Sequence, residues 1–233
     1  MRTKWIDLLH YFPFSVILYK YQESRINCNL FQITLTQMDP AKIADCQLTD
    51  PNTKEVTTFK QLWRNQKCVI IFLRRFGWPF CRLAAKEISS ILPQLKKHNI
   101  RCSLFLDWKS FNSQSNHFRL IGVGLELIGV EEFIEGKFFD GELYVDVKKE
   151  SYNTLGFKRM GLGDLATLFS RKSMEVATNA WWNHGGNVIV GDGYQKGGCL
   201  VVGAGGKPTL FSYIQEDASE HPDNSSILEA LGI

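Results

Sequence analysis

The first strong change of pattern along the chain is from a continuous apolar run to helical spacing. The run Cys68–Leu73 is rich in β-branched and aromatic residues, which is typical of a buried strand. Gly77 and Pro79 interrupt it, and apolar residues then recur on one face of a helix over about Arg82–His98. Pro93 lies inside this helical stretch, so we expect the helix to kink or restart there.

Predicted strands and helices alternate along the rest of the chain, and a pair of adjacent strands comes near its end. A Gly-Gly turn between Gly198–Val202 and Thr209–Tyr213 predicts a C-terminal β-hairpin. This order predicts an α/β protein with a mixed central sheet flanked by helices, of the thioredoxin type. The other predicted elements are a short helix or turn over Thr57–Trp63, strands over Phe118–Gly124 and Glu142–Asp146, and helices over Leu127–Ile134, Lys148–Leu155, Leu165–Trp182 and Ser225–Leu231.

Composition limits the classes of function. The 233 residues are 44% hydrophobic, which is enough for a full core, and the formal net charge is only +3. Basic residues are dispersed, which argues against a nucleic-acid surface. The six cysteines form no Cys-x-x-Cys pair and no Cys/His spacing typical of zinc. We therefore expect no metal, and scattered thiols favour a reducing compartment.

Two segments fit the domain poorly. Leu8–Tyr19 carries no formal charge, but it contains a proline, lacks a small-residue cleavage site and is too short to cross a membrane. We expect a domain over 38–233 preceded by an extension of unknown role over 1–37. Residues 102–118 separate a predicted helix from a predicted strand where about 2–6 residues would be usual, so they form an atypical insertion.

Cys81 is the candidate reactive residue. It follows the strand and precedes the helical pattern, where the helix dipole and unpaired backbone N–H groups favour an anion. Such a position lowers a thiol pKa below its free value of about 8.5 and produces the nucleophilic thiolate. Arg74, Arg75 and Arg82 add positive charge nearby. The alternative is an inert core cysteine, since free cysteines are often buried.

Several segments of the chain stand out together. They are Leu73-Arg74-Arg75-Phe76-Gly77, Cys81-Arg82, Leu120–Gly124, Gly141–Asp146, Leu155–Arg159, Gly191–Gly193, Gly197–Gly203 and Ile227–Gly232. In their order as well as their residues they resemble one family, the peroxiredoxin-like prostamide/prostaglandin F synthases. The resemblance covers about Met38–Ile233.

The resemblance implies a cytosolic thioredoxin-fold oxidoreductase of lipid metabolism, in prostaglandin and fatty acid biosynthesis. Its members reduce the endoperoxide of prostaglandin H, and of its ethanolamide, to the F form with electrons from NADPH. Gly122-x-Gly124 is not a dinucleotide fingerprint, because Leu127 replaces the third glycine. We therefore expect NADPH to act through a separate thiol reductase, with thioredoxin or glutathione as candidate reductants and a small lipid peroxide as substrate.

The chain departs from the family at the motif that follows Phe76-Gly77. The family has Cys-x-x-Cys there, whereas this chain has Trp78 in place of the first cysteine and Cys81 in place of the second. By analogy with peroxiredoxins, Cys81 remains the attacking thiol, and an external thiol completes a one-cysteine cycle. An alternative function of the same kind is a one-cysteine hydroperoxide reductase. If the first cysteine is the essential nucleophile, the chain is a non-catalytic binding protein. The predicted site residues are Cys81, Arg82 and Arg75 for catalysis, and Trp78, Phe80 and Gly198 for substrate binding.

Overall fold

The computed structural model describes residues 38–97, 118–161, 192, 194–216 and 220–233. The predicted extension over 1–37, the predicted helix over 165–182 and all but the last residue of the predicted insertion lie outside these ranges. In the described part of the chain, no helix is long and apolar enough to cross a membrane.

A mixed seven-stranded sheet forms the centre of the fold, in the order β2-β1-β5-β4-β3-β6-β7. The neighbours β3, β4 and β5 are parallel, and every other pair is antiparallel. The predicted C-terminal hairpin is present as β6 and β7. The strands are β1 (Gln47–Thr49), β2 (Val56–Thr58), β3 (Lys67–Phe72), β4 (Phe118–Gly124), β5 (Glu142–Val145), β6 (Gly198–Val202) and β7 (Thr209–Ile214).

Helices flank the sheet, mostly where the pattern predicts them. The helix after β3 begins at Pro79 rather than Arg82, because proline suits the first helical position, where no N–H donor is needed. It ends at Ser89, and the chain is helical again over residues 92–97, so the expected restart near Pro93 is confirmed. Apart from residues 92–97, the helices are α1 (Phe59–Leu62), α2 (Pro79–Ser89), α3 (Val130–Glu135), α4 (Glu150–Thr154) and α5 (Asn224–Leu231) in the part of the chain that the structure describes, with 3₁₀ turns at Pro40–Ile43 and Ala204–Gly206.

Each face of the sheet is covered by its own apolar cluster. Side chains of β3 alternate between the two clusters, as the period of a strand requires. Val69 and Ile71 pack with Ala85 of α2 in one cluster. Ile70 and Tyr152 belong to the other. Because β3 is covered on both faces, its carboxyl end has a fixed position. The loop that leads from β3 into α2 starts from that position.

Candidate functional site

Cys81 lies in the first turn of α2, two residues after Pro79, and only 6% of it is exposed. Its backbone N–H donates to the Trp78 carbonyl at 3.0 Å. The first turn closes with this short-range bond of the 3₁₀ type, so the Cys81 N–H is not itself one of the unpaired donors expected at the start of the helix. The positive end of the α2 dipole lies at this first turn, where Cys81 is located.

The thiol lines an open cleft. Only about 30 Å³ of it could be occupied by the centres of water-sized molecules, much less than a lipid needs, so most of such a ligand would lie outside the cleft. The walls come from the end of β3, the start of α2, β6, β7 and the segment before α5. The lining residues are Ile71, Phe72, Leu73, Arg74, Phe80, Cys81, Ala84, Gly198, Tyr213, Gln215, Glu220, His221 and Pro222.

The structure brings most of the predicted substrate-binding residues to this cleft. Phe80 and Gly198 line it together with Cys81. Trp78 is not a lining residue, but its ring lies 5.9 Å from the Phe80 ring. The Arg74 guanidinium lies 5.6 Å from the same indole. Trp78 therefore supports two walls of the cleft.

The arginines predicted to assist Cys81 have different surroundings. Arg74 is buried and lines the cleft. Arg75 and Arg82 are also buried, but neither is among the lining residues. Their predicted catalytic roles stay predictions.

Arg82 contacts the segments around α3. Its Nε donates to the Phe76 carbonyl at 3.0 Å, and its guanidinium lies 2.9 Å from the Glu132 carboxylate. It also lies 4.6 Å from the centre of the Phe138 ring. These contacts hold α2 against α3, so Arg82 has a structural role whatever it adds at the thiol.

Gly198 lets the backbones of two strands approach each other. A Cβ on Gly198 would lie 2.3 Å from the Tyr213 carbonyl oxygen and 2.7 Å from Cε1 of Phe157. No side chain fits there without moving a strand. The glycine therefore shapes the wall of the cleft through its lack of a side chain.

Two residues near Cys81 were not predicted from the sequence. His221 lines the cleft, and its Nε2 lies 2.7 Å from the Glu87 carboxylate of α2. Tyr152 is fully buried, and burial raises its pKa well above the ordinary value, with further increases from the charges of Asp146 and Cys81. Both residues are distant from Cys81 in sequence, so no local spacing could have indicated them.

The other buried thiols are poor nucleophiles. Burial raises the pKa of Cys68 to about 12 and that of Cys199 to about 12. Among the described residues, no group of three or more His, Cys, Asp and Glu side chains is arranged to hold a metal ion.

Comparisons with known proteins agree with these features. A family model described as AhpC/TSA antioxidant enzyme matches residues 87–217. The prostamide/prostaglandin F synthase of Xenopus tropicalis is 34% identical over 200 residues, which cover 85% of this chain and 90% of that protein. The protein of the same name from Bos taurus is 35% identical, over 85% of this chain and 90% of its own length. The protein of this name from Homo sapiens is 34% identical, over 85% of this chain and 92% of its own length.

Solved structures support the fold. The bacterioferritin comigratory protein of Xanthomonas campestris, studied for alkyl peroxide reduction, superposes with a TM-score of 0.52 at 14% identity over 83% of this chain and 94% of that one. Peroxiredoxin Q of the same species gives a TM-score of 0.52 at 14% identity, over 85% of this chain and 98% of that one. At such low identity these structures bear on the fold alone, and they confirm the predicted thioredoxin-like architecture.

Proposed function

Because the chain belongs to the AhpC/TSA-related, peroxiredoxin-like family of prostamide/prostaglandin F synthases, we propose that it reduces lipid peroxides with Cys81 as the attacking thiol. The substrates we propose are the endoperoxides of prostaglandin H and of its ethanolamide. The observation that carries the proposal is the position of Cys81, which lines an open cleft together with Arg74 and Phe80.

The proposed chemistry needs one protein thiol and two external thiols. The Cys81 thiolate attacks one oxygen of the peroxide, so an S–O bond forms as the O–O bond breaks and the second oxygen leaves as an alkoxide that takes a proton. For an endoperoxide, the adduct still holds the substrate through its first oxygen. An external thiol then attacks the sulfur and releases the diol, leaving a mixed disulfide that a second external thiol reduces.

Positive charge in the cleft favours both anions that form in these reaction steps. The attacking thiolate and the departing alkoxide each carry negative charge, and Cys81 is only 6% exposed. Arg74 is 3% exposed and lines the same cleft, so its positive charge acts with little screening by solvent. We propose Arg74, rather than Arg75 or Arg82, as the electrostatic partner of the reaction, because of these three it is the one that lines the cleft.

The burial of the other thiols favours an external reductant. Among the residues that the structure describes, Cys81 is the one cysteine that lines the cleft. With pKa values of about 12, Cys68 and Cys199 would contribute almost no thiolate near neutral pH. We propose that thioredoxin or glutathione supplies the electrons, that NADPH regenerates it through a separate reductase, and that the reaction takes place in the cytosol.

A second candidate function is binding without catalysis. Trp78 occupies the position of the family's first motif cysteine and contacts Phe80 and Arg74, two residues that line the cleft. Its buried indole N–H has no acceptor among the described residues, but Trp78 does not itself line the cleft. A protein that retains the cleft but lacks a reactive thiol would bind a lipid through Phe80 and Arg74, with Trp78 packed behind them.

The test is peroxide turnover with excess dithiothreitol, using a prostaglandin endoperoxide and tert-butyl hydroperoxide as separate substrates. We expect turnover by the native chain, none by Cys81→Ser, and unchanged turnover by the matched variant Cys199→Ser. Binding of the endoperoxide without turnover would favour the second candidate. Reduction of tert-butyl hydroperoxide alone would retain the thiol mechanism and overturn the proposed substrate class.

A further inference from the structure

The hydroxyl of Tyr152 lies between the ends of the two central strands. It is 2.7 Å from the Leu73 carbonyl oxygen, just after β3, and 2.7 Å from the Val123 carbonyl oxygen of β4. The Leu73 N–H donates to the same Val123 carbonyl at 2.8 Å. The hydroxyl has one proton, and the Val123 carbonyl already accepts from the Leu73 N–H, so we assign that proton to the Leu73 carbonyl. Tyr152 therefore joins α4 to the chain just after β3, where the Cys81 loop begins.

Leu73 is the residue through which this contact reaches the cleft. It lines the cleft with Cys81 and is followed by Arg74, which lines it as well. Two backbone bonds continue toward the thiol. The Trp78 N–H donates to the Arg75 carbonyl at 3.3 Å, and the Cys81 N–H donates to the Trp78 carbonyl at 3.0 Å.

Tyr152 is itself held firmly. Its ring meets Phe72 edge-on, with centroids 5.5 Å apart and an interplanar angle of 86°, and lies 5.5 Å from the Phe157 ring. The start of α4 is fixed by the Asp146 carboxylate, which accepts from the Ser151 N–H at 2.8 Å and the Ser151 hydroxyl at 2.5 Å. The hydroxyl consequently has a fixed place from which to donate.

A donor at this place has an electrostatic consequence. Leu73 belongs to the wall of the cleft, so a Leu73 carbonyl oxygen that lost this donor would leave an uncompensated partial negative charge close to the cleft and raise the free energy of a thiolate there. The Tyr152 hydroxyl remains neutral at physiological pH, since burial raises its pKa well above the ordinary value. It can therefore offset the carbonyl without adding a charge of its own.

We propose that Tyr152 is a positioning residue for Cys81: by donating to the Leu73 carbonyl, it fixes the start of the Cys81 loop and keeps that carbonyl from opposing the thiolate. The proposal rests on the proposed function only in taking Cys81 as the attacking thiol. It concerns the thiolate itself, so it can be tested without any peroxide.

The test measures the rate of Cys81 alkylation by iodoacetamide against pH in the whole chain, with the modified peptide identified by mass spectrometry. In Tyr152→Phe we expect the midpoint of the pH profile to move upward and the rate near neutral pH to fall about fivefold, the factor that one hydrogen bond of about 1 kcal/mol represents. The matched control is Tyr144→Phe, because the Tyr144 hydroxyl contacts Glu142 at 3.1 Å and Tyr144 does not line the cleft. We expect its profile to match the native one.

A Tyr152→Phe profile equal to the native profile would overturn the proposal. A shifted profile in a chain that reduces no peroxide would support it and reject the proposed function, so the two failures are distinguishable. If Tyr152→Phe does not fold, Ser151→Ala is used as the test variant. It removes the hydroxyl that holds the start of α4 to Asp146, while Tyr152 keeps its own hydroxyl. A slower alkylation of Cys81 in that variant supports the proposal, and a native profile contradicts it.

Discussion

Gly198→Ala tests whether close contact between strands shapes the wall of the cleft. The new Cβ would lie 2.3 Å from the Tyr213 carbonyl oxygen, about 1 Å closer than an ordinary contact between heavy atoms. That oxygen belongs to the backbone of β7, which pairs with β6 along its length, so it cannot move by rotation of a side chain. The strands must separate, or the end of β6 must shift.

The cost of this substitution follows from the geometry. Overpacking of a dense site costs about 1–3 kcal/mol, whereas replacing glycine by alanine recovers up to about 1 kcal/mol by restricting the unfolded chain. We expect a net loss of about 1–2 kcal/mol in the free energy of unfolding. With a urea slope of about 2 kcal/mol/M, the unfolding midpoint falls by about 0.5–1 M.

The matched control is Gly122→Ala on β4. Its Cβ would lie 3.0 Å from Phe139 and 3.1 Å from Leu143, and the contacted atoms belong to side chains that can adjust. We expect a loss of about 0.5 kcal/mol or less there. Urea unfolding followed by tryptophan fluorescence measures both variants. Equal stabilities for the two variants, or a Gly198→Ala chain as stable as the native one, would show that contact between β6 and β7 does not exclude a side chain at this position.

Three further predictions concern charge and burial. Burial raises the pKa of Asp192, but hydrogen bonds from Arg159 and Lys149 outweigh it and hold that pKa below its ordinary value. The stabilisation is therefore complete above the unfolded pKa of about 3.9 and is lost as pH falls through the lower folded pKa. Urea unfolding of Asp192→Asn should show a deficit of about 1 kcal/mol near pH 6 that shrinks toward about pH 2, and a deficit independent of pH would contradict this. Brief alkylation of the native chain at about pH 8 should leave Cys68 and Cys199 unmodified, since thiols with pKa values of about 12 form little thiolate, and peptide mapping would detect the opposite result. Glu132→Gln should lower the free energy of unfolding by about 1 kcal/mol or less, because that carboxylate is 59% exposed although its partner arginine is buried, and a larger loss in the same urea assay would refute this.

The local pattern was sufficient for the elements around the site. The apolar run of β3 and the helical spacing of α2 placed Cys81 at their junction, because periodicity and proline both act over short distances. The strands β1 and β2 were not predicted. Each has only three residues, too few for a period to be recognised, and Val56 in β2 is 60% exposed.

The surroundings of the thiol could be predicted only in part. Phe80 and Gly198 do line the cleft, but the arginines chosen from the sequence for catalysis, Arg75 and Arg82, do not, whereas Arg74 does. Which arginine faces the cleft depends on the course of the loop after β3. Tyr152 lies 79 residues from Leu73 along the chain, and contacts at such a distance leave no local signal.

The most direct test of the central claim is the chemical state of Cys81 after a single addition of peroxide without reductant. The native chain would be mixed with one equivalent of tert-butyl hydroperoxide, trapped with dimedone and mapped by mass spectrometry. We predict dimedone on the peptide that contains Cys81, with one equivalent of tert-butyl alcohol released, and no label on that peptide in Cys81→Ser. An unlabelled Cys81 with the peroxide unconsumed would contradict it.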